Sequence, residues 1–551
     1  MEAWFEMKKN ENTCIGPYDG NKLLNIFSAR SVVRFILSLV LLAHLFFPVK
    51  LHAEQLDRCL KATLAVDAMM TKATLRIMAD HRPTMAAKDW VIDASSDPGF
   101  YSYTLDIRHN ILPEGREYPL VIRLSPDVAI ISLRKLRDST SKDKEHICED
   151  VVLTSGDQSQ DKSSHTVLEG YAFFKSGQPM EALPILADRR LPQNFVGHYT
   201  DSLRSSQKFY RSLLGVEKRN VVSVLFLIDN AVDVEQGCRY AGSSLPGLLL
   251  IGLRSGCLRK EQDFPEDLLH FIAHENFHQW NFVVDSAAYD RHQHAIRLML
   301  LEGGAELAAD LFLSQEKGKQ GDKIVHYVSA ATETCIDAAA HLKRPVVDLI
   351  NDGQSGLAYP CGEVYTFLRM ISLAREPFAA FRRLWKPILL APGNDMMGSD
   401  GPLNKQFLKN NISQDAFAEI FSSVGYRLEA ATQPDKSQRF RVAVELMREI
   451  LHDDCRGSYG LYTGGSEIVI DPSSTRCQNL HPGGKPAAIN DFNIYEAPLE
   501  ARRIWLAACD ASTSVRVSYY NFRSSDVRCT SEIKDFYVPL RLSRVSQRSK
   551  S

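Results

Sequence analysis

From residue 54 to about residue 170, apolar and polar residues alternate in short runs, at 63–66, 100–107, 118–124 and 128–133. A period of two, broken by polar stretches at 138–144 and 155–164, predicts strands joined by loops. A helix is expected near 199–214, followed by continuous apolar strands at 221–228 and 247–253. Between Pro265 and about Ile450 the apolar residues fall three and four apart, the period of helices. The C-terminal stretch returns to short strands, at 467–471, 488–493, 515–520 and 527–533, around a helix near 497–508. No internal repeat, Walker, Rossmann or GxSxG pattern interrupts this order. A chain of 551 residues predicts about three domains. The boundaries expected are 1–53 for a leader, 54–170 for a β-rich domain, 171–450 for a mostly helical domain with a small sheet, and 451–545 for a β-rich domain. The fold class is therefore multidomain α+β.

The leader changes the picture of where the chain goes. Arg30 and Arg34 precede an apolar run at 35–47 that ends at Pro48, and Leu51-His52-Ala53 places a small residue at a cleavage position. This is the layout of a secretory signal peptide, too short to span a bilayer, which takes about 20 residues. Export to a secreted or periplasmic location is expected, with cleavage between Ala53 and Glu54. The alternative is a membrane tether by an uncleaved signal anchor, since Val32 and Val33 extend the run. Composition agrees with a soluble protein: 44% hydrophobic, 24% charged, and 65 basic against 67 acidic residues. That balance excludes nucleic acid as a partner and, once the leader is gone, a membrane. Of 11 cysteines only Cys14 lies in the leader, and no CxxC occurs. Five disulfides are expected from nearness in sequence: Cys238/Cys257, Cys335/Cys361, Cys455/Cys477, Cys509/Cys529 and Cys59/Cys148.

The candidate chemistry sits in the centre of the chain. Asp263, Pro265, Glu266 and Asp267 form a helix start, with acids at the positive end of the dipole. The same helix carries His274, Glu275 and His278. Histidines four apart emerge from one helix face and can share one tetrahedral zinc, with Glu275 beside them to take a proton from the attacking water. A bare HExxH is weak, so the third ligand matters. It is expected at Glu302, after 23 intervening residues, on a second helix. Gly303, Gly304, Ala305, Ala308 and Ala309 make that helix thin enough to pack closely on the first. Glu306, one turn on, could accept from the free nitrogen of a ligand histidine; the alternative makes both glutamates solvated helix acids. His270 reads as a core or supporting histidine, while His292 and His294 read as residues of a solvated loop at 285–294. Asn411-Ile-Ser is a glycosylation sequon only in a eukaryotic secretory route.

His274-Glu-Asn-Phe-His278-Gln-Trp280-Asn281, followed by Glu302-Gly-Gly-Ala, resembles the gluzincin metallopeptidases, and within them the glycyl-aminopeptidase-like family. The resemblance covers roughly residues 190–450. It implies a thermolysin-like catalytic domain, one zinc per chain held by His274, His278 and Glu302, and a tyrosine that stabilises the oxyanion. Tyr359, in Tyr-Pro-Cys-Gly362 and 57 positions beyond Glu302, matches that tyrosine; Tyr365 and Tyr327 are its substitutes. Aminopeptidases of the clan hold the substrate amine with a glutamate on the strand before the metal helix, yet the stretch 236–260 contains no Asp or Glu at all. An endopeptidase acting on peptides or proteins is therefore favoured over an aminopeptidase. The strand at Leu248, Leu249 and Leu250 is expected to bind an extended substrate by strand addition. Cys455-Arg-Gly-Ser-Tyr-Gly-Leu-Tyr and the elements after it resemble a PDZ domain, which relatives carry in this place. The rival from another class is a non-catalytic scaffold that captures peptides through that PDZ-like module. Exported material sequenced from its N-terminus should begin near Glu54; an intact leader would establish the anchor instead.

Overall fold

The computed structural model describes residues 60–545 except for internal stretches, the longer ones being 84–89, 93–99, 112–118, 139–146, 156–163, 177–184, 230–237, 259–263, 285–290, 317–321, 391–413 and 530–538. The leader, Cys59, Cys148 and the Asn411 sequon lie outside the described residues. Among the described residues no helix is long and apolar enough to cross a membrane. The architecture is mixed α+β with several sheets, and the chain divides into two compact units.

The first unit comprises residues 1–65, 73–105 and 133–154. Its described part is built on a five-stranded sheet in the order Val91–Ile92, Phe100–Asp106, Lys72–Met78, Lys61–Val66 and Val152–Ser155. Leu64, Leu75, Ile77 and Leu105 are buried from alternate positions, as the period of two predicts.

The second unit takes residues 66–72, 106–132 and 155–551. Strands expected in the 54–170 stretch are thus shared between the two units. Here an antiparallel sheet (Val121–Ser125, Val128–Ser132, Tyr171–Lys175, Ser164–Leu168) shares an apolar cluster with a second, mixed sheet, through Ile122, Ile130 and Phe173 against Val224, Phe226 and Leu250. The mixed sheet runs in the order Ile185–Ala187, Val222–Leu227, Leu248–Leu253, Tyr240–Leu245. Leu248, Leu249 and Leu250 are therefore central, paired in parallel with Val222–Leu227 and antiparallel with Tyr240–Leu245. They cannot receive a peptide strand, which corrects the sequence-based expectation. A strand buried on both faces needs apolar residues throughout, and this one has them. The edge position falls to Tyr240-Ala-Gly-Ser-Ser-Leu245, half-buried along its length.

Helices follow these sheets along the chain. Glu266–Asn281 carries the two histidines, Arg291–Glu316 carries Glu302, and Pro360–Leu373 begins directly after Tyr359. The Glu302 helix starts ahead of His294, which is exposed on it rather than in a loop. Aromatic rings tie the histidine helix to two further helices, Gln193–Leu214 and Pro377–Leu390: Tyr210 meets Phe277 and Trp280, and Phe277 meets Trp385, at 5.2–5.5 Å. The glycine pair packs differently from expectation. A Cβ on Gly303 would stand 1.9 Å from the Gly362 carbonyl carbon, and one on Gly304 would stand 2.3 Å from Trp385. Successive helical residues turn by about 100°. With Glu302 turned to the histidines, Gly303 and Gly304 face the Tyr359 helix and Trp385 instead of the histidine helix.

Four expected disulfides are present: Cys238–Cys257, Cys335–Cys361, Cys455–Cys477 and Cys509–Cys529. In the C-terminal region, helices Lys436–Asp454 and Pro498–Asp510 and a four-stranded sheet enclose the buried Trp505. Strand Leu540–Arg544 then leaves to pair with Tyr426–Ala430. The buried carboxylate of Glu333 secures this joint, accepting from Gln438 Nε2 at 2.6 Å and from the Leu540 amide at 2.5 Å. The test of the helix contact is Gly303→Ala. Because backbone lies on both sides, it should destabilise this unit by about 1–3 kcal/mol, the range for overpacking, measured as a lower urea midpoint. An unchanged midpoint would refute the close approach.

Candidate metal centre

His274 and His278 project from adjacent turns of one helix, with Nε2 atoms 3.1 Å apart. Glu302 Oε2 lies 3.4 Å from each. These three are buried or nearly so and could hold a metal ion. Donors of a tetrahedral zinc with bonds of about 2.0–2.1 Å stand roughly 3.3–3.4 Å apart, so the spacing fits.

The neighbouring acceptors set the tautomers. Asn281 Nδ2 donates to the Leu301 carbonyl at 2.7 Å, so its Oδ1 is free to accept from His278 Nδ1 at 3.0 Å. Glu306 Oε1 stands 3.1 Å from His274 Nδ1. Protons on both Nδ1 atoms leave both Nε2 lone pairs aimed at the Glu302 carboxylate. Three lone pairs converging this closely repel one another unless a cation lies among them. Burial opposes a charge on His274, but Glu306 and Glu302, joined by Glu275, outweigh it and push its pKa well up. The field here favours positive charge.

Glu275 is buried, and burial is the main cause of its raised pKa, which the two histidines oppose. Its carboxylate lies against Gly242 of the edge strand, where a Cβ would stand 2.6 Å from Oε1. Burial pushes Glu302 up, but the two facing imidazoles prevail and hold it well below the usual carboxylate range. The Tyr359 ring stacks on His274 at 5.7 Å, and its hydroxyl interacts with Glu302. Burial, then the charges of Glu302 and Glu275, raise its pKa and keep it a donor. The substitutes are placed elsewhere: Tyr365 is fully buried, and Tyr327 donates to Glu266 Oε1 at 3.0 Å. Asp454, Cys455 and Cys477 also converge, but the cysteines are bonded to each other and Asp454 accepts from Asn479 and Leu480 amides.

Three residues of the site were not assigned roles by the sequence. Asn281 was detectable, since it lies three positions from His278 on the same helix face. Gln279 accepts from the Gly247 amide at 2.9 Å and donates to Ser244 Oγ at 2.6 Å and the Leu245 carbonyl at 2.9 Å, clamping the edge hairpin to the metal helix. Gly242 carries no local signal, because its need for bareness arises only where Glu275 meets it.

No protein-family model and no curated protein matches the chain. Among solved structures, that of an aminopeptidase N family protein from Idiomarina loihiensis is similar over 88% of this chain and 98% of its own, with 10% sequence identity and a TM-score of 0.47. That level of likeness establishes neither fold nor activity. Asn281→Ala should free the His278 ring and weaken zinc binding by about 10–100-fold, the usual effect of losing such a partner. A competing-chelator titration reads it, and an unchanged affinity would remove Asn281 from the centre.

Proposed function

We propose that this protein is an exported zinc-dependent peptidase, of gluzincin type, that cleaves internal peptide bonds with one zinc per chain. The observation that carries the reading is the meeting of His274, His278 and Glu302 with the Glu275 carboxylate and the Tyr359 ring in one buried place. Two histidines and a glutamate are a catalytic zinc set, which leaves a coordination position open. When bound, zinc supplies Lewis acidity, polarising the scissile carbonyl and bringing the pKa of water to about 7. Glu275 takes the proton of the attacking water and delivers it to the leaving amine. Tyr359 donates to the oxyanion as the carbonyl becomes tetrahedral. His274 and His278 are held in one tautomer by Glu306 and Asn281, so neither ring competes for that proton.

The substrate adds as a strand to Tyr240–Leu245, which has no carboxylate to anchor a terminal amine. This supports an endopeptidase. The four disulfides support an oxidising compartment. The C-terminal region is read as a PDZ-like peptide-binding module.

Purified mature protein should contain near-stoichiometric zinc and cleave members of a peptide library. Glu275→Gln should keep the zinc and lose at least about 10²-fold in rate. Tyr359→Phe should keep zinc and substrate affinity while turnover falls by roughly 10²-fold. Full cleavage by Glu275→Gln would overturn the mechanism. A parent protein that takes up no zinc and stays inert when zinc is added would be a peptide-binding scaffold instead.

A further inference from the structure

Behind the metal donors a second row of ionisable side chains crosses three helices. Glu306, which faces His274, has its other oxygen 3.6 Å from His270 Nε2. The same nitrogen is 3.0 Å from Asp310 Oδ1. Asp310 in turn hydrogen-bonds the side chain of Glu363, in the first turn of the Tyr359 helix. Asp310 Oδ2 and Glu363 Oε1 are buried with no hydrogen-bond donor facing them. Two buried carboxyl groups that hydrogen-bond each other are compatible only when one of them carries a proton. The Glu363 amide closes the row by donating to the Tyr359 carbonyl at 2.9 Å.

We propose that His270, Asp310 and Glu363 are positioning residues that hold Glu306 against His274 and thereby set the metal affinity of the centre. The inference rests on the metal reading above. Glu306 and Asp310 are one turn apart on one helix, where like charges repel. His270 stands between them and turns that repulsion into a bridge, and the proton shared with Glu363 removes one negative charge. Without His270 the Glu306 carboxylate swings away from Asp310 and from His274. The His274 Nδ1 proton then loses its acceptor, and the Nε2 lone pair is no longer fixed on the metal.

The test compares parent, His270→Ala, His270→Gln, Asp310→Leu and the double variant His270→Ala/Asp310→Leu. Zinc dissociation constants come from chelator competition, and the visible spectrum of the cobalt(II) form reports ligand geometry. His270→Ala and Asp310→Leu should each weaken zinc by about 10–100-fold and shift the cobalt bands. His270→Gln, whose amide can donate toward the same carboxylates, should recover most of the affinity. The double variant should cost no more than the worse single one, because both break the same row. Parent-like zinc affinity in His270→Ala and Asp310→Leu would overturn the inference even if melting temperature fell. Equal losses in His270→Ala and His270→Gln would make the effect one of packing and overturn it too. Where His270→Ala fails to fold, Asp310→Leu, of similar size, decides alone. A parent that binds neither zinc nor cobalt would sink the metal reading and this inference together, whereas the other failures leave the metal reading standing.

Discussion

Three electron-pair donors from two helices must meet at 3.1–3.4 Å, although their lone pairs repel. Much of the surrounding structure serves that distance. Asn281 does so most economically, because one amide orients the His278 ring and binds the Leu301 carbonyl beside Glu302. The histidine face and the glutamate turn are thus tied through a single side chain. On the far side of the Glu302 helix, Gly303 and Gly362 bring backbone against backbone, so that helix has no freedom to retreat. Cys335–Cys361 then bonds the Asp322–Leu342 helix to the turn that follows Tyr359.

The same region gathers more acid than a protein interior ordinarily tolerates. Glu275, Glu302, Glu306, Asp310 and Glu363 are buried or nearly so within neighbouring turns. An unpaired buried carboxylate is costly, so each needs a partner, a proton or a cation. Burial drives Glu363 well up, with Asp310 adding to it, and that carboxyl stays protonated. Glu302 remains ionised against its burial because two imidazoles face it. Neighbouring carboxyls thus differ in charge state through their contacts alone, and the positive potential they call for is centred on the three donors. The proposed peptidase chemistry uses this field and the open position together.

The proposed substrate side depends on a different constraint, the fit of the edge strand over the histidine helix. Gln279 grips the turn of the hairpin, and the Tyr240 and Phe271 rings meet at 4.6 Å near its other end. Between these two fixed points the strand passes so close that a Cβ at position 242 would displace the Phe271 ring and the Glu275 carboxylate. Cys238–Cys257 anchors the approach to this strand.

Local chemistry made a good part of this legible in the sequence. Histidines four apart share a helix face by geometry, so His274 and His278 could be placed without coordinates. Helix and strand periods located the elements around them, and cysteines separated by 19–26 residues paired as nearest neighbours. Glu302 and Glu306 were read from the second helix and Tyr359 from the resemblance, and the structure brings all three to the histidines. What the tertiary structure alone decided concerns partners from distant segments. Whether Leu248–Leu253 or Tyr240–Leu245 forms the sheet edge depends on strand order, and an apolar run does not state its neighbours. Gly303 and Gly304 announce a close contact, but the rotation of their helix chooses its object. The row from His274 to Glu363 spans 89 positions and appears only once three helices pack. A side chain's type and spacing are properties of the local chain, while its partners are set by the packing of segments that the local pattern does not relate.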